Sequence, residues 1–173
     1  MSQKTVILFS LWTSVWSAIF YHFYSIFCAD FNVPWIMFVC MAIFFGMDLA
    51  PKQFISGILS AFCGLAWGQI DFLLINWFSK AGMSLYAASF LAIVVGTAVA
   101  MYIHLKVLAK TPLGLMPFIF AGVCLTFSQG GGNVVGLAST FVIGIVLSAI
   151  CCIGLRFCMK RFPLEKKEEK KEQ

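Results

Sequence analysis

Six apolar runs, at residues 5–28, 33–49, 53–78, 84–105, 113–129 and 133–157, occupy almost the whole chain, and nearly all charged side chains fall between those runs or after the last. A bilayer core about 30 Å thick is crossed by about 20 mainly apolar helical residues. The runs match that requirement, with the second and fifth the shortest. The expected fold is therefore an all-α membrane protein with six transmembrane helices. Composition agrees: 61% of residues are apolar and 11% charged, too few charges to clothe a soluble domain.

The connections are short, "ADFN", "APK", "SKAGM", "LKVLAKTP" and "QGGG", so neighbouring helices run antiparallel and no soluble domain is inserted. Alternate connections then lie on opposite sides. Lys4, Lys52, Lys106, Lys110, Arg156, Lys160 and Arg161 share one side and Lys80 lies on the other. Cationic loops stay in the cytoplasm, which places both termini there. Residues 1–162 read as one transmembrane domain with halves at about 5–78 and 84–157, followed by a charged cytoplasmic tail over 163–173. Trp35, Trp77 and Tyr86 fall at the outer boundary, where amphipathic rings favour the headgroup zone.

Other classes fall away. The net charge of +5 belongs to the cytoplasmic rim and tail and forms no basic groove, so nucleic acid is not a partner. The seven cysteines lie in or beside apolar runs without metal-type spacing, and read as small apolar filler. Lys4 before an apolar stretch ending at Cys28 resembles a lipoprotein signal, but Phe27 is too bulky for that cleavage, so the stretch reads as a helix. No nucleophile elbow or phosphate-binding loop is present; the chain reads as a non-enzyme without cofactor or metal.

A shift of about eighty residues lays Ser56, Ser60, Gly64 and Gly68 over Gly136, Thr140, Gly144 and Ser148, and Phe38 over Phe118. Each half then contains three helices. Three is odd, so the second half enters the membrane upside down, giving a 3+3 inverted repeat. The second and fifth spans are both interrupted, one by Pro34, Gly46, Asp48 and Pro51, the other by Pro112, Pro117, Gly122, Gly130, Gly131 and Gly132. Broken helices at matching places mark solute sites, because unwound backbone offers unpaired N–H and C=O groups. The alternative is equally open: antiparallel helices need turns, and glycine and proline make them. Asp48 and Lys52, four residues apart, fit a cap and pair at the start of the third helix, with Pro51 in its first turn.

On the first span, Ser10, Thr13, Ser14, Ser17, Tyr21, Tyr24, Ser25 and Cys28 share one face, opposite Trp12, Trp16, Phe20, Phe23 and Phe27. The hydroxyl face is expected to turn inward, to pack or to line a path, and the aromatic face to meet lipid or a protein. Ladders of small residues at four-residue steps, among them Ala88, Ala92, Gly96 and Ala100, allow close helix contact. Asp71 is read as the one acid well inside a span and His22 as its one histidine, both in the outer third, where they are placed to meet. An intramembrane ionisable group signals function; the competing reading sends Asp71 to the outer headgroups or to a neighbouring hydroxyl and leaves His22 in the interface.

The stretches "WIMFVCMAIFFG" and "SGILSAFCGLAWGQ", with their counterparts "LMPFIFAGVCLTF" and "GLASTFVIGIVLS", resemble the YcdZ-like bacterial inner-membrane proteins, a family of unknown function. The resemblance implies a multi-pass protein of the bacterial inner membrane and supplies no site residues. The six-helix layout also resembles aquaporin-like channels in outline, but the Asn-Pro-Ala pair of that family is absent.

Two functions are therefore carried forward. One is a small-solute channel or transporter whose path is built from Ser14, Ser17, Tyr21, His22, Gly46, Asp48, Asp71, Gly130, Gly131 and Gly132. The other is a non-transporting accessory or assembly protein. The partners are the bilayer, a small polar solute and, as an open alternative, further copies in a homo-oligomer.

Overall fold

The computed structural model describes residues 1–31 and 33–163, and its regular structure over these residues is entirely helical. Beyond Pro163, the expected tail lies outside the described residues. The main helices are α1 (Gln3–Phe27), α2 (Ile36–Gly46), α3 (Phe54–Lys80), α4 (Leu85–Tyr102), α5 (Met116–Ser128) and α6 (Val134–Arg161). A 3-10 turn, Pro51–Gln53, leads into α3, and a π-helical segment, Ile103–Val107, continues α4.

Four of these helices are long and apolar enough to cross a membrane: α1, α3 with its leading turn, α4 with its π segment, and α6. The chain is thus a helical protein built for lipid. The second and fifth runs depart from expectation. Their helices hold 11 and 13 residues, roughly 16 and 20 Å at 1.5 Å per residue, and neither spans a bilayer core alone. Proline shortens both at the N-terminal side, with Pro34 preceding α2 and Pro117 held in the first turn of α5.

Their C-terminal ends explain the two interruptions. At the end of α2, Asp48 N–H donates to Phe45 O and Leu49 N–H to Phe44 O, with Asp48 at φ 48°. At the end of α5, Gly130 N–H donates to Phe127 O and Gly131 N–H to Thr126 O, with Gly130 at φ 59°. Both are Schellman caps, in which the N–H of one left-handed residue and the N–H of the residue after it close the last turn. The backbone there is paired, so the expectation of unwound, unpaired groups at the breaks is corrected. Asp48 serves α2 and does not cap α3; the 3-10 turn is instead closed by Gln53 Oε1, which accepts from Ala50 N–H at 2.7 Å. Pro51 does stand in the first turn of that segment.

Short helices pack on long ones through backbone contact. A Cβ added at Gly64 of α3 would strike Ile119 O and Gly122 Cα of α5, and one added at Gly144 of α6 would lie 2.7 Å from Met37 Cα of α2. Only glycine permits these approaches, which is how helices associate where lipid removes the hydrophobic driving force. The contacts Ser60 to Leu115, Gly64 to Gly122, Gly68 to Thr126 and Phe72 to Phe127 advance in the same order, so α3 and α5 run parallel. Between α1 and α6 they run in opposite order: Thr5 Oγ1 donates to Phe162 O at 2.8 Å, Trp12 Nε1 to Ile150 O at 3.2 Å, and Tyr24 Oη lies 2.9 Å from Thr140 Oγ1.

The core gathers around α2, where Ile36, Met37, Cys40 and Phe44 are fully buried with Phe118, Phe141 and Ile145. Buried Cys40, Cys151, Cys152 and Cys158 are free thiols packed as filler. The faces of α1 follow expectation in part, with Tyr24 buried and Phe23 and Phe27 exposed, and depart from it elsewhere. Trp12 fits over Gly154, and Trp16 and Phe20 pack on the core, whereas Ser10, Ser14, Tyr21 and Ser25 are exposed. Ser14 and Ser25 satisfy themselves by donating to the carbonyls four residues back, Ser10 O and Tyr21 O. That local bond removes the penalty of an outward hydroxyl in lipid, while the large rings gain more by filling space against α6.

Candidate functional site

Asp71 lies past the midpoint of α3 and turns toward α4 and α5. It is 3% exposed, and its Oδ1 has no hydrogen-bond partner among the described residues. The carboxyl rests directly against Gly96 of α4, where any Cβ would collide with Oδ1. The ladder of small residues on α4, with Ala88, Ala92, Gly96 and Ala100 all buried, is what lets α3 come close enough to cover this acid. Beside it is a small cavity of about 20 Å³ whose walls include Trp67, Thr97, Met116, Ile119 and Val123. A water needs about 10–15 Å³ of such space, so the cavity has room for one.

One turn below Asp71 on the same face, Trp67 Nε1–H donates to His104 Nε2 at 3.0 Å. The other ring nitrogen, Nδ1, lies 2.8 Å from Leu113 O. An indole N–H can only donate and a carbonyl can only accept. The imidazole therefore carries its proton on Nδ1 and is neutral. His104 is 2% exposed and belongs to the π-helical segment, a distortion that recurs at functional positions. The triplet ties α3, the end of α4 and the strap leading into α5 to one ring.

His22 does not join Asp71. It is exposed on α1, edge-on to Tyr21, whereas Asp71 is enclosed by α4 and α5. The buried histidine is His104, which the sequence reading passed over although it ends the fourth run. A signal was present: the ladder at 88, 92, 96 and 100 reaches 104 at the next step of four.

The remaining sequence candidates scatter. Ser14 and Tyr21 face outward, and Ser17 donates to Met41 Sδ at 3.8 Å. Gly46, Gly130 and Gly132 are exposed. Gly131 packs on the Phe72 ring, and its carbonyl accepts from Gln69 Nε2 at 2.8 Å. Asp48 borders a second cavity, of about 470 Å³, with Phe9, Phe45, Cys152 and Arg156. That cavity lies toward the end of the bundle that carries the N-terminus of α1 and the C-terminus of α6, which are joined where Ser2 Oγ donates to Phe162 O at 2.9 Å.

A family model described as "Protein of unknown function (DUF1097)" matches residues 7–159. No curated protein and no solved structure matches the chain.

Proposed function

The chain belongs to the DUF1097 family, proteins of unknown function, and we propose that it is a small-solute transporter whose working group is Asp71. The observation that carries this reading is a carboxyl inside an apolar helix, almost wholly buried, with one oxygen unpartnered and a cavity beside it. Such a group is expensive in a membrane. An apolar residue would pack the same interface more stably, so a use for the carboxyl explains its place better than packing does.

The proposal includes six crossings in a 3+3 inverted repeat. What supports it is the pairing of elements: α3 packs on α4, α5 and α6, and α6 packs on α1, α2 and α3, the same set with the halves exchanged. Local detail follows that exchange. Ser60 Oγ accepts from Leu115 N–H ahead of α5, while Thr140, eighty residues on, holds Tyr24, whose Oη accepts from Val33 N–H ahead of α2. Such duplication is common among transporters, where the halves move against each other. The two short helices then complete their crossings with the non-helical segments on either side.

We place both termini in the cytoplasm, and the resemblance to the YcdZ-like proteins makes the membrane a bacterial inner membrane. Lys4, Lys160 and Arg161 stand at one end of the α1–α6 pair and Lys80 ends α3 at the other, which fits the cationic bias of cytoplasmic ends.

The test is a flux screen on purified protein in liposomes, across sugars, amino acids, organic acids and inorganic ions. Wild type is expected to move at least one class, and Asp71→Asn to lose about tenfold or more of that flux while keeping its elution profile in detergent. Absence of flux in every class, or full activity of Asp71→Asn, overturns the proposal.

A further inference from the structure

We infer that the species bound and released at Asp71 is a proton and not a metal cation. This deepens the transport reading and rests on it for the use of the site, while the chemistry rests on the cavity alone. A metal cation entering a membrane protein exchanges its hydration shell for several oxygens, and transporters supply them from unwound backbone and half-helix ends. Here α3 and α4 are unbroken helices through Asp71 and Gly96, so their carbonyls are engaged in intrahelical bonds. Thr97 brings one hydroxyl; Met116, Ile119 and Val123 present carbon or sulfur. One carboxyl and one hydroxyl cannot replace a hydration shell. A proton asks for a single carboxyl oxygen and one water to deliver it, and about 20 Å³ matches one water.

Charge around the cavity agrees. The walls that α4 and α5 place against Asp71 hold no titratable or charged side chain, and Trp67 is the polar neighbour from its own helix. Trp67 has its N–H committed to neutral His104. With no cation facing it, the carboxyl is neutralised most simply by its own proton: a hydronium entering the cavity breaks one of its O–H bonds as the carboxylate oxygen forms one, leaving a neutral water behind, and the carboxyl returns that proton to a water when the halves part.

The experiment is infrared difference spectroscopy of the full chain in vesicles, titrated with pH, for wild type, Asp71→Asn and Asp71→Glu. A protonated-carboxyl C=O band is expected that titrates in wild type, is lost in Asp71→Asn, returns shifted in Asp71→Glu, and is unchanged when Na⁺ and K⁺ replace a bulky organic cation. A band that Na⁺ or K⁺ removes shows a competing metal and overturns the inference, as does the absence of any Asp71-dependent band across the titration. Flux driven by a Na⁺ gradient with such competition would sink the proton and leave transport standing. A titrating band in a protein without flux would sink transport and leave the proton site.

Discussion

The indole of Trp67 and the ring of His104, 37 residues apart, meet through an N–H···N bond of 3.0 Å and fix the imidazole in one neutral tautomer. Because His104 also holds Leu113 O, one side chain links two long helices to the approach of a short one. Trp67→Phe removes the donor and leaves Nε2 buried without it. A loss of about 1–3 kcal/mol is expected for an orphaned buried acceptor, read as a lower unfolding midpoint in detergent. An unchanged midpoint would show that the ring is not a structural tie.

Gly96 and Asp71 form a size-matched pair. Gly96→Ala pushes a methyl into the carboxyl, with an expected cost of about 1–3 kcal/mol for overpacking. In Asp71→Ala the space is free, so the double variant Asp71→Ala/Gly96→Ala should be more stable than the sum of the two single changes, by about 0.5–3 kcal/mol. Simple additivity in a thermal or denaturant series would contradict the contact.

The Gly64–Gly122 crossing holds α5 against α3 by backbone alone. Gly122→Val places branched carbon where Ala61 O lies 2.6 Å from a mere Cβ. The helices must separate, and the outcome expected is loss of folded protein, measured as the yield of monodisperse material. Gly46→Ala, with open space around its Cβ, is the control that should be silent.

The caps of α2 and α5 predict opposite responses to exchange. Asp48→Gly relieves a non-glycine residue at φ 48° and should be neutral or stabilising, whereas Gly130→Val forces a branched residue into φ 59° and should destabilise by about 1–2 kcal/mol. Flux per folded molecule should be unaffected by Gly130→Ala. If that change abolishes flux without changing stability, the α5–α6 turn is part of the solute site after all.

Orientation is checked with a reporter fused after residue 163. Activity only with a cytoplasmic reporter is expected, and activity only with an extracytoplasmic one would reverse the assignment of ends.

The apolar runs, their short connections and the cationic bias were legible because each is a local property of chain and bilayer: length against thickness, charge against side. The four-residue ladders were legible as packing seams for the same reason, and Gly64 and Gly144 are indeed backbone contacts. Asp71 stood out because a charge in an apolar run has no local excuse. The breaks at 46–52 and 130–132 were legible as breaks, but their meaning was not, since a helix cap and an unwound binding segment draw on the same residues.

Which face of α1 turns inward was decided by its partner: Gly154 and Ile150 of α6 receive Trp12, while serines bonded to their own helix lose little by facing out. The Trp67–His104 bond was likewise a tertiary matter, because residues 37 apart in the chain meet only when α3 packs against the end of α4. The sequence by itself determined that this chain is helical, apolar and built for a membrane, because those properties follow from residue-by-residue transfer between water and lipid. Only the three-dimensional packing decided that Asp71 is enclosed against Gly96, with the Trp67–His104 bond below it, because enclosure depends on how closely two backbones approach.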